Sequence, residues 1–302
     1  EKLLEHHPEN FDGHYYRAIC FREIGKFRPE FLRKVPLVGG LLEFKKAERH
    51  FEWVVQRDSL FRDVLFQLAT LRRYQENFTA ALELAHRQLA LKPDEAVAQV
   101  GLFNIYRQLI IRKNEKKAIA ELAQLPRPHA RFFAAEKWRR EQKYALADSV
   151  FHLLLSEKPP MPLQPVYLAL AKSASARGDD TAAETYFWQA VETITRIAEA
   201  DLVFEVIKYI VDRNELAHYR ALAAPPAKIA FFKKFWVQRD PLPAAERNVR
   251  LAEHLRRLNF CEQNYEFIGF RSWANSPDKL NYLRFPDAYR LNEEFNDKGL
   301  IY

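Results

Sequence analysis

Arg239 and Asp240 stand side by side in the stretch FFKKFWVQRDPLP, and a neighbouring guanidinium and carboxylate could work as a functional ion pair. The same Asp precedes Pro241, however, and Asp-Pro initiates turns and caps helices without any chemistry. His6, His7 and His14 cluster near the start, but no Cys accompanies them and no His-Glu-x-x-His spacing occurs, so no metal site is expected. His86, His152 and His254 fall in amphipathic stretches, where a surface or boundary histidine is ordinary. There is no Gly-x-Ser-x-Gly elbow and no Gly-rich phosphate loop. Cys20, between Ile19 and Phe21, reads as a small core residue rather than a nucleophile. With Cys261 it makes two cysteines, too few for a disulfide framework. These residues imply no catalytic group, no metal and no cofactor, and therefore no enzyme.

The elements that would carry a binding function are helical. The chain has 302 residues, enough for two average domains or one long repeat array. At 48% hydrophobic and 14% aromatic it can bury substantial cores, which excludes a disordered chain. Only 8 glycines are present, too few for the tight turns of a doubly wound fold, whereas Leu, Ala, Glu, Lys and Arg abound. No apolar run reaches the ~18 residues that a membrane-spanning helix needs. The opening EKLLEHHPEN lacks Met and any signal-peptide pattern, and reads as the middle of a longer protein. Net charge is +7, and residues 107–143 hold eleven Lys or Arg against four Glu, the whole surplus. Such a basic patch suits nucleic acid, anionic lipid or an acidic peptide, or is a solvated helix face.

One pattern recurs. In VYLALAKSASARGDDTAAETYFWQAVE, Tyr167, Leu170, Ala171 and Ala174 share a helical face. Gly178 breaks the period, and Ala183, Phe187 and Ala190 restart it. The unit resembles a tetratricopeptide repeat (TPR), two antiparallel helices in about 34 residues. Upstream, Leu65, Leu68, Ala69, Phe78, Ala81, Ala85 and Pro93 repeat the spacing, with Arg72 where an apolar residue is usual. So do Ala134, Ala135, Trp138, Tyr144, Ala147, Phe151, Leu154 and Pro159, and a looser copy surrounds Leu102, Tyr106 and Ala118. A first copy (Tyr15, Ala18, Phe21, then Phe44, Ala47, Phe51, Val54) is split by an insertion at about 28–43, in which Pro36 and Gly39-Gly40 forbid a continued helix. A degenerate sixth pair, through Leu202, Phe204, Ile207, Leu216 and Tyr219, carries the array to residue 224. The expected fold is all-α: a TPR-like right-handed helical-hairpin solenoid over 1–224, then a Pro-linked helix pair and a small aromatic-rich segment over 225–302.

Pro225 and Pro226 mark the boundary. Beyond them, Phe231 with Phe235 and Phe232 with Trp236 are spaced i, i+4, giving the apolar stripe of a helix. After the proline turn a second helix has the face Val249, Ala252, Leu255 and Leu258. Through Phe232, Phe235, Trp236, Arg239, Asp240, Pro241 and Pro243, and later Asp297, Gly299, Ile301 and Tyr302, this part resembles the start of the bacterial GWxTD domain family. Asn296-Asp297-Lys298-Gly299 stands where that family has Trp-x-Thr-Asp. The resemblance implies a bacterial protein, associated with the cell envelope on its periplasmic side, and implies almost nothing about activity. The aromatics from Phe260 to Phe295 read as a small packed cap rather than a stacking platform for nucleic acid.

The TPR resemblance implies a concave groove lined by the inner faces of the first helices. In that register the lining residues are Tyr15, Arg22, Phe66, Arg73, Tyr74, Phe103, Arg107, Phe132, Arg139 and Lys172. Aromatics mixed with Arg dominate interface energies, and Arg grips carboxylates with paired hydrogen bonds. The groove is thus expected to bind a peptide or protein of acidic character, or else to pack on the chain's own C-terminal segment. Leu37, Val38 and Leu41 of the insertion would touch a partner or the surface of a membrane, or would cap the first repeat. The functional expectation is a non-catalytic interaction scaffold; the alternative is a positioning arm for an enzyme domain lying past residue 302. Nucleic acid is not an expected partner, and oligomeric state is left open.

Overall fold

The computed structural model describes residues 2–26, 41–267 and 294–302. Among them are sixteen helices and one isolated antiparallel bridge, between Glu266 and Phe295. The fold is all-α and TPR-like, built of antiparallel helical hairpins. The described residues fall into two compact units, one of 2–26 and 41–106, the other of 107–267 and 294–302.

The first unit holds α1 (Lys2–His6), α2 (Phe11–Lys26), α3 (Leu41–Arg57), α4 (Val64–Tyr74), α5 (Phe78–Leu91) and most of α6 (Ala96–Arg112). Helix α2 packs on α3, α3 on α4, and α4 on α5. Phe44, Ala47, Phe51 and Val54 of α3 form a 3–4-spaced stripe, fully or nearly buried against Tyr15 and Ala18. Leu37 and Val38 lie outside the described residues, as does the side chain of Leu41, where α3 begins.

The second unit continues with α7 (Glu115–Leu122), α8 (Pro128–Arg140), α9 (Tyr144–Glu157), α10 (Gln164–Ala176), α11 (Asp180–Glu192), α12 (Ile197–Ile207), α13 (Arg213–Ala221), α14 (Pro225–Val237), α15 (Val249–Asn264) and α16 (Asp297–Ile301). Each of α7 to α11 packs on the next, α12 and α14 join that stack, and α15 lies on α10 and α11. Ala171 and Ala183 are completely buried across the α10–α11 hairpin, and Phe187 fills the space beside them. Removing small residues there would push the helices apart, since interiors are close-packed.

Three hairpins close with one backbone device. Asn77, Lys143 and Asp179 each donate N–H to the carbonyl five residues back, at Arg72, Trp138 and Ala174, over 3.0, 2.9 and 3.0 Å. The residue just before each donor is left-handed: Glu76 at φ 61°, Gln142 at φ 61° and Gly178 at φ 80°. This is a Schellman closure, which caps carbonyls that the helix end leaves without partners. Only the third copy has the glycine that such a φ favours, so only there is the turn obvious in the sequence. Asn77 and Asp179 then cap the second helix, accepting from the N–H of Ala80 and Ala182.

Pro225 and Pro226 occupy the first turn of α14, where an absent N–H costs nothing. All four aromatics of FFKKFW are buried, and one apolar core runs from Leu168 through Trp236 to Phe295. That core is continuous across residues 224 and 225. On α15 Ala252, Leu255 and Leu258 are buried as expected, but Leu251 is buried in place of Val249, which is 37% exposed because Asn248 caps the helix and Val249 is its first residue. Phe295 is buried, Phe260 is partly exposed and stacks on Tyr302, and Phe270, Trp273, Tyr282, Phe285 and Tyr289 lie outside the described residues.

Candidate functional site

The cations expected to line a groove are held by carboxylates, several of them from the C-terminal part of the chain. On α8, Glu136, Arg139 and Arg140 are spaced i, i+3 and i+4 and so share one face. Arg139 donates from Nε and Nη2 to both carboxylate oxygens of Glu136, each at 2.8 Å, a fork-to-fork pair. Its Nη2 also donates to Glu262 of α15, and its Nη1 to Oδ1 of Asn259 at 3.2 Å. Lys172 of α10 donates to Glu262 at 2.9 Å and Glu136 at 3.3 Å, and Asn259 returns a hydrogen bond to the Lys172 carbonyl at 2.9 Å. Arg140 pairs with Glu266.

A second cluster lies within the same unit. Arg107 of α6 donates to Glu294 at 2.6 Å and Glu205 of α12 at 3.3 Å. Lys208 donates to the same two, at 3.0 and 2.9 Å, and the Tyr209 hydroxyl donates to Glu294 at 2.8 Å. Burial alone would raise the glutamates, but Arg139, Lys172 and Arg140 hold Glu262 down to about 2, and Lys208 and Arg107 do the same for Glu294. Burial lowers Lys172, and the nearby Arg139 lowers it further. These pairs are desolvated, so every charge depends on its partner.

The remaining predicted residues are distributed along the first helices. In the first unit the Tyr15 hydroxyl donates to Asp63, Gln67 donates to Asp63 at 2.7 Å, and Arg22 donates to the Gln67 side-chain oxygen at 2.5 Å. This polar relay ties α2 to α4. Arg73 and Tyr74 are buried together, with the guanidinium 5.0 Å from the ring centre. Half-buried Phe66 lies across Gly101 of α6, where a Cβ would come within 2.0 Å of its ring, and Phe103 is buried. Phe132 packs on Phe151 inside its own hairpin, at 5.7 Å between ring centres. All ten are thus bonded, packed or buried, with Phe66 only half-buried, and the structure brings Arg139 and Lys172 into one cluster and Arg107 into the other.

The chain matches no known protein family profile, and no curated protein is similar to it. Among solved structures, one from a functional characterization of Pseudomonas aeruginosa pilF is 17% identical, covering 68% of this chain and 86% of that one, with a TM-score of 0.31.

The residues considered for catalysis do not assemble. Arg239 pairs with Glu215 at 2.8 Å rather than with Asp240, whose carboxylate accepts from the Leu242 N–H in the proline turn. His6 and His7 are exposed, while His14 meets His50 with 2.8 Å between their Nδ1 atoms and stacks on Trp53. Two expectations are corrected. Cys20 is exposed and Cys261 is the buried cysteine, its thiol pushed up to about 11 by burial. His254 is buried, not peripheral, donating from Nε2 to the Val206 carbonyl at 2.9 Å. Among the described residues no group of three or more His, Cys, Asp or Glu could hold a metal, and no helix is long and apolar enough to cross a membrane.

Sequence reasoning found the cations and offered the chain's own C-terminal segment as one thing they could meet, without singling out Glu262, Glu266 or Glu294. The signal was there: Glu262 and Glu266 are spaced i, i+4 at the end of a stretch otherwise rich in Arg, and Glu136 precedes Arg139 and Arg140 by one helical turn.

Proposed function

We propose that this protein is a non-catalytic protein-interaction scaffold, whose first-helix faces read carboxylates presented on a helix. One observation carries the reading: Arg139 and Lys172, on the first helices of two successive hairpins, together grip Glu262 of an amphipathic helix laid across them. The array thereby holds a carboxylate-bearing helix with the residue types that dominate protein interfaces. Residues 1–224 are read as the array and 225–302 as its C-terminal extension; the GWxTD resemblance of that extension, and the bacterial envelope setting it implies, rest on the matching residues alone.

Photo-crosslinking from the intact chain tests the scaffold reading. A benzophenone side chain at Phe66 or Thr70 of α4 probes the first-helix face, and one at exposed Leu153 of α9 probes an outer face. Partner adducts are expected from Phe66 and Thr70 and not from Leu153. Adducts confined to Leu153, or none from any position, would sink the reading.

A further inference from the structure

The charges that the hairpins bring to the two clusters do not cancel. Arg107, Arg139, Arg140, Lys172 and Lys208 are five cations, against two carboxylates, Glu136 and Glu205. Neutrality is reached only with Glu262, Glu266 and Glu294, all from the C-terminal extension. Stripped of that extension, the face would carry three uncompensated positive charges in a partly desolvated site. Such a face is complementary to an acidic ligand and costly to leave empty.

Helix α15 fills it with two stripes. Leu251, Leu255 and Leu258 enter the core, while Asn259 and Glu262 of the helix, and Glu266 two residues past its end, meet α8 and α10. Its connection to α14 is long and open: Pro241 through Arg247 are all exposed. The eleven residues 238–248 could extend over ~36 Å, so α15 can leave the face while remaining tethered.

Resting on the scaffold reading, we infer that α15 is a resident mimic of the partner. The partner is an amphipathic helix with a leucine stripe, a carboxylate in its last turn and a second just past its end, and it docks by displacing α15. Competition of this kind sets affinity by the fraction of molecules in which α15 is already out.

The chain carries its own reporter, since Cys261 lies on α15, buried, and exposed Cys20 lies in the other unit as a control. Iodoacetamide labelling of the native chain is expected to reach Cys261 through an opening whose dependence on urea is well below that of global unfolding. A peptide of residues 248–267 should accelerate that labelling at least tenfold and leave Cys20 unchanged. The same peptide with both Glu262→Gln and Glu266→Gln should accelerate it less than twofold. Labelling of Cys261 that follows global stability at every urea concentration, or that neither peptide changes, would overturn the inference. A chain that crosslinks a partner through Phe66 while α15 stays locked keeps the scaffold reading and loses this one.

Discussion

Lys172 Nζ stands 2.9 Å from Oε1 of Glu262, joining a residue of the third closed hairpin to one 90 positions later. The contact is desolvated on both sides, with Arg139 on the same carboxylate and Glu136 on the same ammonium. Two charges removed from water are tolerated there because each satisfies the other, and the arrangement fixes the rotation of α15 about its own axis.

Removing one member of that arrangement strands the rest. Glu262→Gln leaves Arg139 and Lys172 short of a carboxylate in a site closed to water. A loss of about 3 kcal/mol is expected, in the range found when a buried pair is broken from one side. Urea unfolding of the intact chain measures it, as a lower midpoint at unchanged slope.

Acid should weaken the fold through His254. Burial lowers its pKa from 6.5 to about 4, and the hydrogen bond to Val206 only partly offsets that. The unfolded chain therefore takes up this proton first. Stability from this group is full above pH 6.5, declines as pH falls toward 4, and changes no further below that. The steepest loss is about 1.4 kcal/mol per pH unit. His50 acts in the same sense, lowered to about 4 by burial and then by His14, Arg17 and Arg49. His254→Gln, whose amide can still donate to the Val206 carbonyl, should flatten the curve by about one proton between pH 7 and 4.5.

Equivalent turn positions should respond with opposite signs. Gly178→Ala places a Cβ at φ 80°, with open space around it but a strained backbone, and should cost about 1 kcal/mol. Gln142→Gly relieves the same strain at φ 61° on an exposed residue, and should gain up to about 1 kcal/mol. Thermal midpoints of the two variants should bracket that of the natural chain.

Gly101→Ala sets two rules against each other. Helix propensity favours Ala in mid-helix by about 1 kcal/mol. The added Cβ, however, would lie 2.0 Å from Cζ and 2.2 Å from Cε2 of Phe66. Overpacking of this kind costs about 1–3 kcal/mol, so a net destabilisation is expected. Combining it with Phe66→Leu should recover part of the loss, which a propensity effect alone would not do.

Alanine, leucine and aromatic spacing alone determined that the chain is a series of helical hairpins. The 3.6-residue period is a local property, and the stripes through Phe51, Phe151 and Phe187 belong on buried faces wherever their helices are placed. The cations Arg107, Arg139 and Lys172 were legible as a charged set for the same reason, since the repeat register assigns them to one helix of each pair. Two turns were less legible, because Glu76 and Gln142 take up the left-handed backbone that sequence reasoning expects of glycine. Only the tertiary structure decided what the cations face. Glu262 lies 123 positions from Arg139 and Glu294 lies 187 from Arg107, and no local period encodes a contact across such distances. The partner of a buried charge is chosen by where the chain returns, because desolvation penalises every placement of α15 that leaves Arg139 and Lys172 unmatched, and every placement of Glu294 away from Arg107.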